Sequence, residues 1–489
     1  MKTHALTAVS VAFTLVTATL PAQQTAVSRY IKVPAGVVVL EHVRIIDGTG
    51  AAPLDDQVLT LRDGKIESIA SFAQHKPSPQ GATVLDLTGR SVMPGIVGMH
   101  DHMYYIGRPN LDASGRSEPP LMVPQMTFSS PHLYLGAGVT TLRTTGSVEP
   151  YTDLNLKREI DAGHLPGPHL DVTGPYLEGG NSPFIQMHQL KDAADAKATV
   201  DFWAAQGATS FKAYMNITRA ELKAAIDEAH KLGLKITGHL CSVTYPEAAE
   251  LGIDDLEHGF FVNTQLDPGK QPDVCPPTSG SPTLNQMTPG SPEAIALIKL
   301  LVDHHVALTS TLPVFESDDP RHLRIQPRTI ETMSPPVREA YLYTRNLELN
   351  RPASRPDGVS PATLFQHGMG LEREFVAAGG LLLAGPDPTG DGGVLPGFGD
   401  QREIELLVDA GFRPVEAIKI ATLNGATYLG RAASIGSIAP GKNADLVVVK
   451  GDPSTHITDI ENTEIIFKDG VGYDSQKLLD SAKGRYGQY

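Results

Sequence analysis

The spacing of apolar and polar residues changes twice along the chain. Residues 38–49 (VVLEHVRIIDGT) alternate in side-chain character and stop at a turn signal. Residues 57–69 repeat the alternation around Asp63-Gly64, and residues 82–92 add a further run interrupted at Gly89-Arg90. A period of two predicts half-buried strands, and Asp-Gly predicts a hairpin between them. The same signature returns at 436–450 and 463–470. Two all-β pieces at opposite ends of a chain bury their apolar faces most simply against each other. This predicts one small β-sandwich domain built from residues 24–94 and 431–489, which the chain leaves near Pro94 and re-enters near Arg431.

Between these pieces, residues 95–430 alternate short apolar runs with helical periodicity. Strands are predicted at 93–102, 138–145, 169–175, 210–215, 234–239, 253–258, 306–315 and 380–387. Helices are predicted at 192–206, 218–232, 245–251, 292–304, 401–410 and 414–428, the second opened by Thr218 with Glu221 at the capping-box position. Eight strands, most followed by a helix, predict an α/β fold, a (β/α)8 TIM barrel. Residues 263–291 and 317–360 interrupt the alternation. The first is rich in Pro, Gly, Asn and Thr; the second is charged and broken by prolines, with a helical stretch at 337–350. Both follow barrel strands, so both are expected as lids or pocket walls, with disorder as the alternative for 263–291. The Met- and Leu-containing stretch 121–126 is expected as another pocket wall.

Composition narrows the function. The 489 residues accommodate a barrel of roughly 250 residues or more plus an accessory module. A formal net charge of −15 argues against a nucleic-acid partner, which requires a basic footprint. The basic tip at Lys2 and the apolar Ala- and Thr-rich run to Ala22 predict a signal peptide over residues 1–22, cut near Ala22 or Gln23. An exported protein, periplasmic or secreted, is therefore expected, with an uncleaved anchor as the alternative. No later stretch is apolar enough to span a bilayer. Cys241 and Cys275 are the only cysteines. One disulfide is allowed in an oxidising compartment, but Cys241 follows His239 by two residues, and the expectation leans to free thiols. Self-association into a homo-oligomer is left open.

The candidate chemistry begins at Met93-Pro94-Gly95-Ile96-Val97-Gly98-Met99-His100-Asp101-His102. Histidines at i and i+2 leave a strand on one face and can reach one cation. Alone, so short a motif is read more readily as ordinary polar residues at a strand end. Further candidates end other predicted strands: Lys212 in Thr-Ser-Phe-Lys-Ala-Tyr, His239 in Ile-Thr-Gly-His, His258 in Leu-Glu-His-Gly and Asp387 in Gly-Pro-Asp-Pro. In a barrel, reactive residues sit at the carboxyl ends of strands. A lysine within an apolar strand is costly unless paired or chemically changed, and carbon dioxide can convert it to a carbamate that bridges cations. Four histidines, a lysine and an aspartate can hold two divalent ions, zinc first by ligand type, with manganese, cobalt, iron or nickel as alternatives. Weaker candidates are Tyr214, on the same strand face as Lys212, as a catalytic donor to the tetrahedral intermediate or to a substrate carboxylate, and His132, His188 and Arg143 for substrate contact. His304-His305 and Trp203 are expected to be structural. No phosphate-binding glycine loop and no serine nucleophile elbow is present.

Taken together, these residues resemble the amidohydrolase superfamily, in particular its binuclear branch with a carboxylated lysine that includes prolidase-like (Xaa-Pro dipeptidase) members. The resemblance runs from about Val38 to Gly470. It implies His100, His102 and Asp387 at one metal, His239 and His258 at the other, and carboxylated Lys212 between them. It further implies a metal-bridging hydroxide that attacks an amide carbonyl, with Asp387 as the catalytic base. The expected substrate is a small-molecule amide, either a dipeptide or an N-acyl amino acid. Alternatives are a cyclic amide, lactone or ester hydrolase or a deaminase on the same scaffold, a mononuclear site if Lys212 is not carboxylated, and a non-catalytic binding protein. Two positions depart from the family pattern: Gly385-Pro386-Asp387 replaces the frequent Gly-Thr-Asp, and Arg143-Thr144 replaces the frequent Arg-Asp.

Overall fold

The computed structural model describes residues 27–105, 123–182, 184–318, 321, 323, 325–350, 359–389 and 393–488. The predicted signal peptide at 1–22, together with Leu121 and Met122, lies outside them.

Parallel strands make the barrel: Ile96–Gly98, Val139–Arg143, His169–Asp171, Thr173–Leu177, Ser210–Ala213, Lys235–Gly238, Asp255–Glu257, Ala307–Ser310 and Leu382–Ala384. The third predicted strand is two runs broken at Val172. Its first run pairs with the second strand and its second run with the fourth. The backbone bond from Ser147 N–H to the Gly174 carbonyl, 3.1 Å, carries the pairing across that break. Met99 N–H donates to the Ala384 carbonyl at 2.9 Å and closes the ring between the first and last strands. Most observed strands are shorter than predicted, and Met93-Pro94 of the first belongs instead to the accessory-sheet strand Arg90–Pro94. The seventh stops at Ser310 and turns into a helix, Leu312–Glu316.

The predicted helices are present, and others that the pattern did not mark, among them Ser129–Gly136, Pro150–Asp161 and Pro361–Ala377, lie between barrel strands. Arg219–Lys231 opens with the predicted reciprocal cap, in which Glu221 N–H donates to Thr218 Oγ1 and Thr218 N–H donates to Glu221 Oε2. Tyr245–Leu251 repeats the device with Thr244 and Glu247. Each cap satisfies orphan donors of the first turn.

The ends of the chain interleave in one nine-stranded sheet. Leu446–Lys450 lies antiparallel to Arg90–Pro94, so the last strand before the barrel pairs with the first strand after it. Val38, Leu40, Ile45, Leu59, Val448 and Phe467 form a core separate from that of the barrel.

The segment 263–291 is ordered, and its anchor is Asp267. One carboxylate accepts from Thr278 Oγ1, Gly280 N–H, Thr283 N–H and Thr283 Oγ1 at 2.6–3.1 Å. The expectation of free thiols is overturned: Cys241 and Cys275 form a disulfide. The segment folds back over the end of the fifth strand, where Thr264 Oγ1 also donates to the Cys241 carbonyl at 2.8 Å. That return brings together two residues whose spacing in the sequence carries no such information. Residues 317–350 carry two helices among the described positions, Pro327–Thr332 and Pro335–Leu349, the second matching the predicted helical stretch. Among the described residues no helix is long and apolar enough to cross a membrane.

Candidate metal centre

Six sequence-predicted residues converge at the carboxyl mouth of the barrel. Asp387 stands at the centre: its Oδ1 is 3.1 Å from His102 Nε2 and 3.6 Å from His100 Nε2, and its Oδ2 is 4.0 Å from His258 Nε2. Lys212 Nζ lies 3.1 Å from His100 Nε2. The His239 and His258 rings are 4.4 Å apart, and the His258 and His100 rings 4.6 Å.

Backbone geometry aims these groups. Asp387 and His258 both adopt left-handed conformations, with φ of 51° and 70°. Aspartate and histidine take up such angles more readily than most side chains, so both positions can turn the chain at the strand end without glycine. Gly385 is needed for close approach, since a Cβ there would stand 2.2 Å from the His100 backbone nitrogen. Asp387 N–H then donates to the His100 carbonyl at 3.1 Å. Pro386, which lacks an N–H, therefore leaves this particular bond intact.

The far nitrogens of three histidines are held by neighbours. His100 Nδ1 meets Glu257 Oε2 at 2.7 Å, His102 Nδ1 meets the Thr144 carbonyl at 3.2 Å, and His258 Nδ1 meets Thr311 Oγ1 at 2.8 Å. A carboxylate or carbonyl at Nδ1 fixes the proton there and turns a bare Nε2 lone pair toward the centre, as metal ligation requires. Burial pushes the pKa of His100, His102 and His258 down and that of His239 down to about 3, so all four favour the neutral, ligating form. Burial also pushes the Lys212 amine down to about 8, against the pull of Glu257 and Asp387. Burial opposes ionisation of Asp387, but His100, His102 and Lys212 outweigh it and hold the carboxyl well below its usual range.

This donor set fits divalent cations. His100, His102 and Asp387 bring ligand atoms within 4.8 Å of one another. His258 Nε2 and Asp387 Oδ1 are buried with no hydrogen-bond partner. Orphaned polar atoms of this kind are costly in a protein interior unless something else satisfies them.

A small cavity opens beside these groups, walled by Tyr104, Tyr176, Tyr214, Phe184, Met187 and Val123. Val123 comes from the stretch expected as a pocket wall. Tyr214 is where the sequence places it, its ring 5.0 Å from that of His239. Its pKa is raised by burial and by the Asp387 charge, so it keeps its proton.

The other three substrate candidates are not brought there. His132 is buried between Tyr30 and Phe128, bonded through Nδ1 to Ser481 Oγ at 2.7 Å. The carboxy-terminal helix Ser475–Ala482 that captures it is remote in sequence. His188 faces outward and pairs with Asp195 at 3.0 Å, near the start of the helix Ala193–Gln206. Arg143 lies inside the barrel beneath the metal ligands, where Nη2 donates to Asp255 Oδ2 and Glu257 Oε1, each at 2.8 Å. Burial works against its charge, yet Glu257 and Asp255 more than offset that and raise its pKa.

Sequence reasoning missed Glu257, which touches His100 directly, and Asp255 beneath it. The available signal was an acidic residue at i−1 and i−3 from His258 in a buried strand, which is uncommon without a partner. It also missed Tyr104, which stacks on His102 at 4.4 Å and hydrogen-bonds to Tyr176. Its spacing extends the i, i+2 pattern of His100 and His102.

With this geometry in place, the comparisons with known proteins are consistent. The model of the amidohydrolase family matches residues 91–307 and 397–471. The chain belongs to the amidohydrolase family and is an enzyme of that class. The matched segments exclude 308–396, so the placement of Asp387 rests on geometry rather than on the family match. Among solved structures, the bottromycin amidohydrolase AH superposes with a TM-score of 0.66 at 19% identity, covering 94% of each chain. A Xaa-Pro dipeptidase with methionine bound in its active site gives 0.65 at 18% identity, covering 90% of this chain and 100% of that one. At such identities these show the shared fold, a barrel with a small accessory domain. An imidazolonepropionase of Porphyromonas gingivalis (strain ATCC BAA-308 / W83) is 24% identical over 411 residues, 80% of this chain and 82% of that protein. Adenine deaminase 3 of Rhizobium meliloti (strain 1021) is 45% identical over 47 residues, and the match spans only 8% of its length.

Proposed function

We propose that this protein is an exported, metal-dependent hydrolase of small-molecule amide bonds, acting on dipeptides or N-acyl amino acids. One observation carries the reading: four histidines, Lys212 and Asp387 from distant parts of the chain meet at the barrel mouth, with the Nε2 atoms of His100, His102 and His258 turned toward Asp387. His100, His102 and Asp387 would hold one divalent ion and His239 and His258 a second, with Lys212 between them as a carbamate. Zinc suits this mixture of imidazole and carboxylate ligands first. Bound there, the cations supply Lewis acidity toward the amide carbonyl and lower the pKa of water. A lysine amine pushed down to about 8 is partly neutral near pH 7, the form that combines with carbon dioxide.

The remaining chemistry belongs to the chain. The Asp387 carboxylate is ionised at neutral pH and accepts the proton released as water adds to the carbonyl carbon. It then delivers that proton to the amine nitrogen as the C–N bond breaks. The Tyr214 hydroxyl, kept protonated by burial, donates a hydrogen bond to the substrate. Tyr104, Tyr176, Phe184 and Met187 exclude water and offer an apolar face to the side chain or acyl group. The disulfide between Cys241 and Cys275 supports an oxidising compartment, and with it the exported reading.

The test is metal analysis of the purified protein, followed by assay against dipeptide and N-acyl amino acid panels. Two divalent ions per chain and turnover of at least one panel member are expected. Full metal content with no amide cleaved in either panel would remove the reading. The 80% coverage of this chain by an imidazolonepropionase match favours one second reading, a cyclic amide as substrate. Cyclic amides therefore belong in the same assay.

A further inference from the structure

A second group of metal-ligand side chains meets at the opposite, amino-terminal end of the barrel. His169 opens the first run of the third strand, Asp445 immediately precedes Leu446–Lys450 of the accessory sheet, and Asp469 lies in the turn after Thr463–Lys468. One ligand atom from each of the three lies within 4.8 Å of the others. His169 Nε2 stands 3.0 Å from Asp469 Oδ2.

Asp445 carries the argument. Its Oδ1 accepts the Asp469 backbone N–H at 2.7 Å, while its Oδ2 is buried with no partner. The residue is only 5% exposed. A carboxylate oxygen removed from water and left unpaired is expensive, and burial accordingly raises the pKa of this group. Lys468 is the adjacent cation, but among the described contacts its ammonium makes no hydrogen bond to either carboxylate, and burial lowers its pKa. One imidazole nitrogen and two carboxylates around an unsatisfied oxygen form a donor set suited to zinc or a neighbouring divalent transition metal.

We propose that His169, Asp445 and Asp469 bind one divalent metal ion, Zn2+ or a close relative, as a structural clamp between barrel and accessory sheet. The Asp469 side chain is half exposed, which leaves the remaining coordination to water. The clamp sits where the chain enters the barrel, since Gly95 N–H donates to the Asp445 carbonyl at 2.9 Å. An ion here joins a strand of the barrel to the two returning strands that the fold must dock against it. The amino-terminal face of such barrels serves stability rather than chemistry, so the ion has no part in amide cleavage.

The test compares wild type with D445N and H169Q after loading with Zn2+ and desalting into metal-free buffer. Asn at 445 keeps the Oδ1 acceptor for the Asp469 N–H, so D445N retains the local turn. Mass-spectrometric metal analysis is expected to find one more zinc equivalent in wild type than in either variant, whatever the content of the catalytic mouth. In excess chelator, D445N is expected to melt close to wild type, and returning Zn2+ should raise the melting temperature of wild type further than that of D445N. Equal zinc content in all three proteins overturns the proposal, as does an extra equivalent in wild type that is lost on desalting. Amide turnover by both variants is expected at the wild-type level, so loss of the clamp and failure of the hydrolase reading give different results.

Discussion

Glu257 shows how a single side chain can matter without touching substrate. It receives Arg143 Nη2 and Thr237 Oγ1 on one oxygen and holds His100 Nδ1 with the other. Neutralising it as Glu257→Gln should loosen His100 and lower metal affinity by roughly 10–100-fold, read by competition with a chelator. Affinity equal to wild type would show that the Glu257–His100 contact does not tune the site. Asp387→Asn keeps an oxygen donor near His102 but removes the proton carrier. Metal should remain bound while turnover falls by roughly 100–10,000-fold, and a variant with near-normal rate would take Asp387 out of proton transfer. The ligands were legible because each ends an apolar run. Glu257 and Arg143 were not read as partners, because 114 residues separate them and only barrel closure puts them face to face.

At the scale of elements, periodicity and caps account for most helices and strands. The Thr218–Glu221 box starts its helix where the pattern says, because a cap is a local hydrogen-bonding device. The segment 263–291 behaves differently. It has no apolar period, yet Asp267 gathers four donors and the Cys241–Cys275 bond pins it to the fifth strand. Replacing both cysteines by serine opens a loop of sequence separation 34. Loss of that cross-link should cost about 2–4 kcal/mol, read as a lower denaturant midpoint under non-reducing conditions. An unchanged midpoint would mean that Asp267 and its donors hold the segment unaided. Because Cys241 follows the candidate ligand His239, metal affinity should be measured in the same variant.

Over the whole molecule, buried carboxyl groups outnumber buried cations among the described residues. Glu372 is fully buried, with Oε2 accepting from Ser310 Oγ at 2.8 Å and Oε1 unpartnered. Burial pushes its pKa up to about 8, against the Ser310 hydrogen bond. An unfolded glutamate titrates near ~4.3. Between these values the native state binds the extra proton, so stability contributed at acid pH is lost as pH rises toward 8, by up to about 1.4 kcal/mol per pH unit. Glu372→Gln mimics the protonated form and removes that slope. Its melting temperature should gain on wild type more at pH 8 than at pH 5, and a constant difference would place an ionised carboxylate in the wall. What the sequence settled unaided was the alternation of strands with helices, the barrel with its accessory domain, and the residues that end its strands, because these follow from local periodicity and from side-chain chemistry at fixed spacing. What only the tertiary structure decided was which distant groups share a surface. Arg143 went inward to Glu257, His132 to Ser481, and Cys241 to Cys275. Such pairings depend on how closed strands and returning loops meet in space, a relation that no local pattern in the chain encodes.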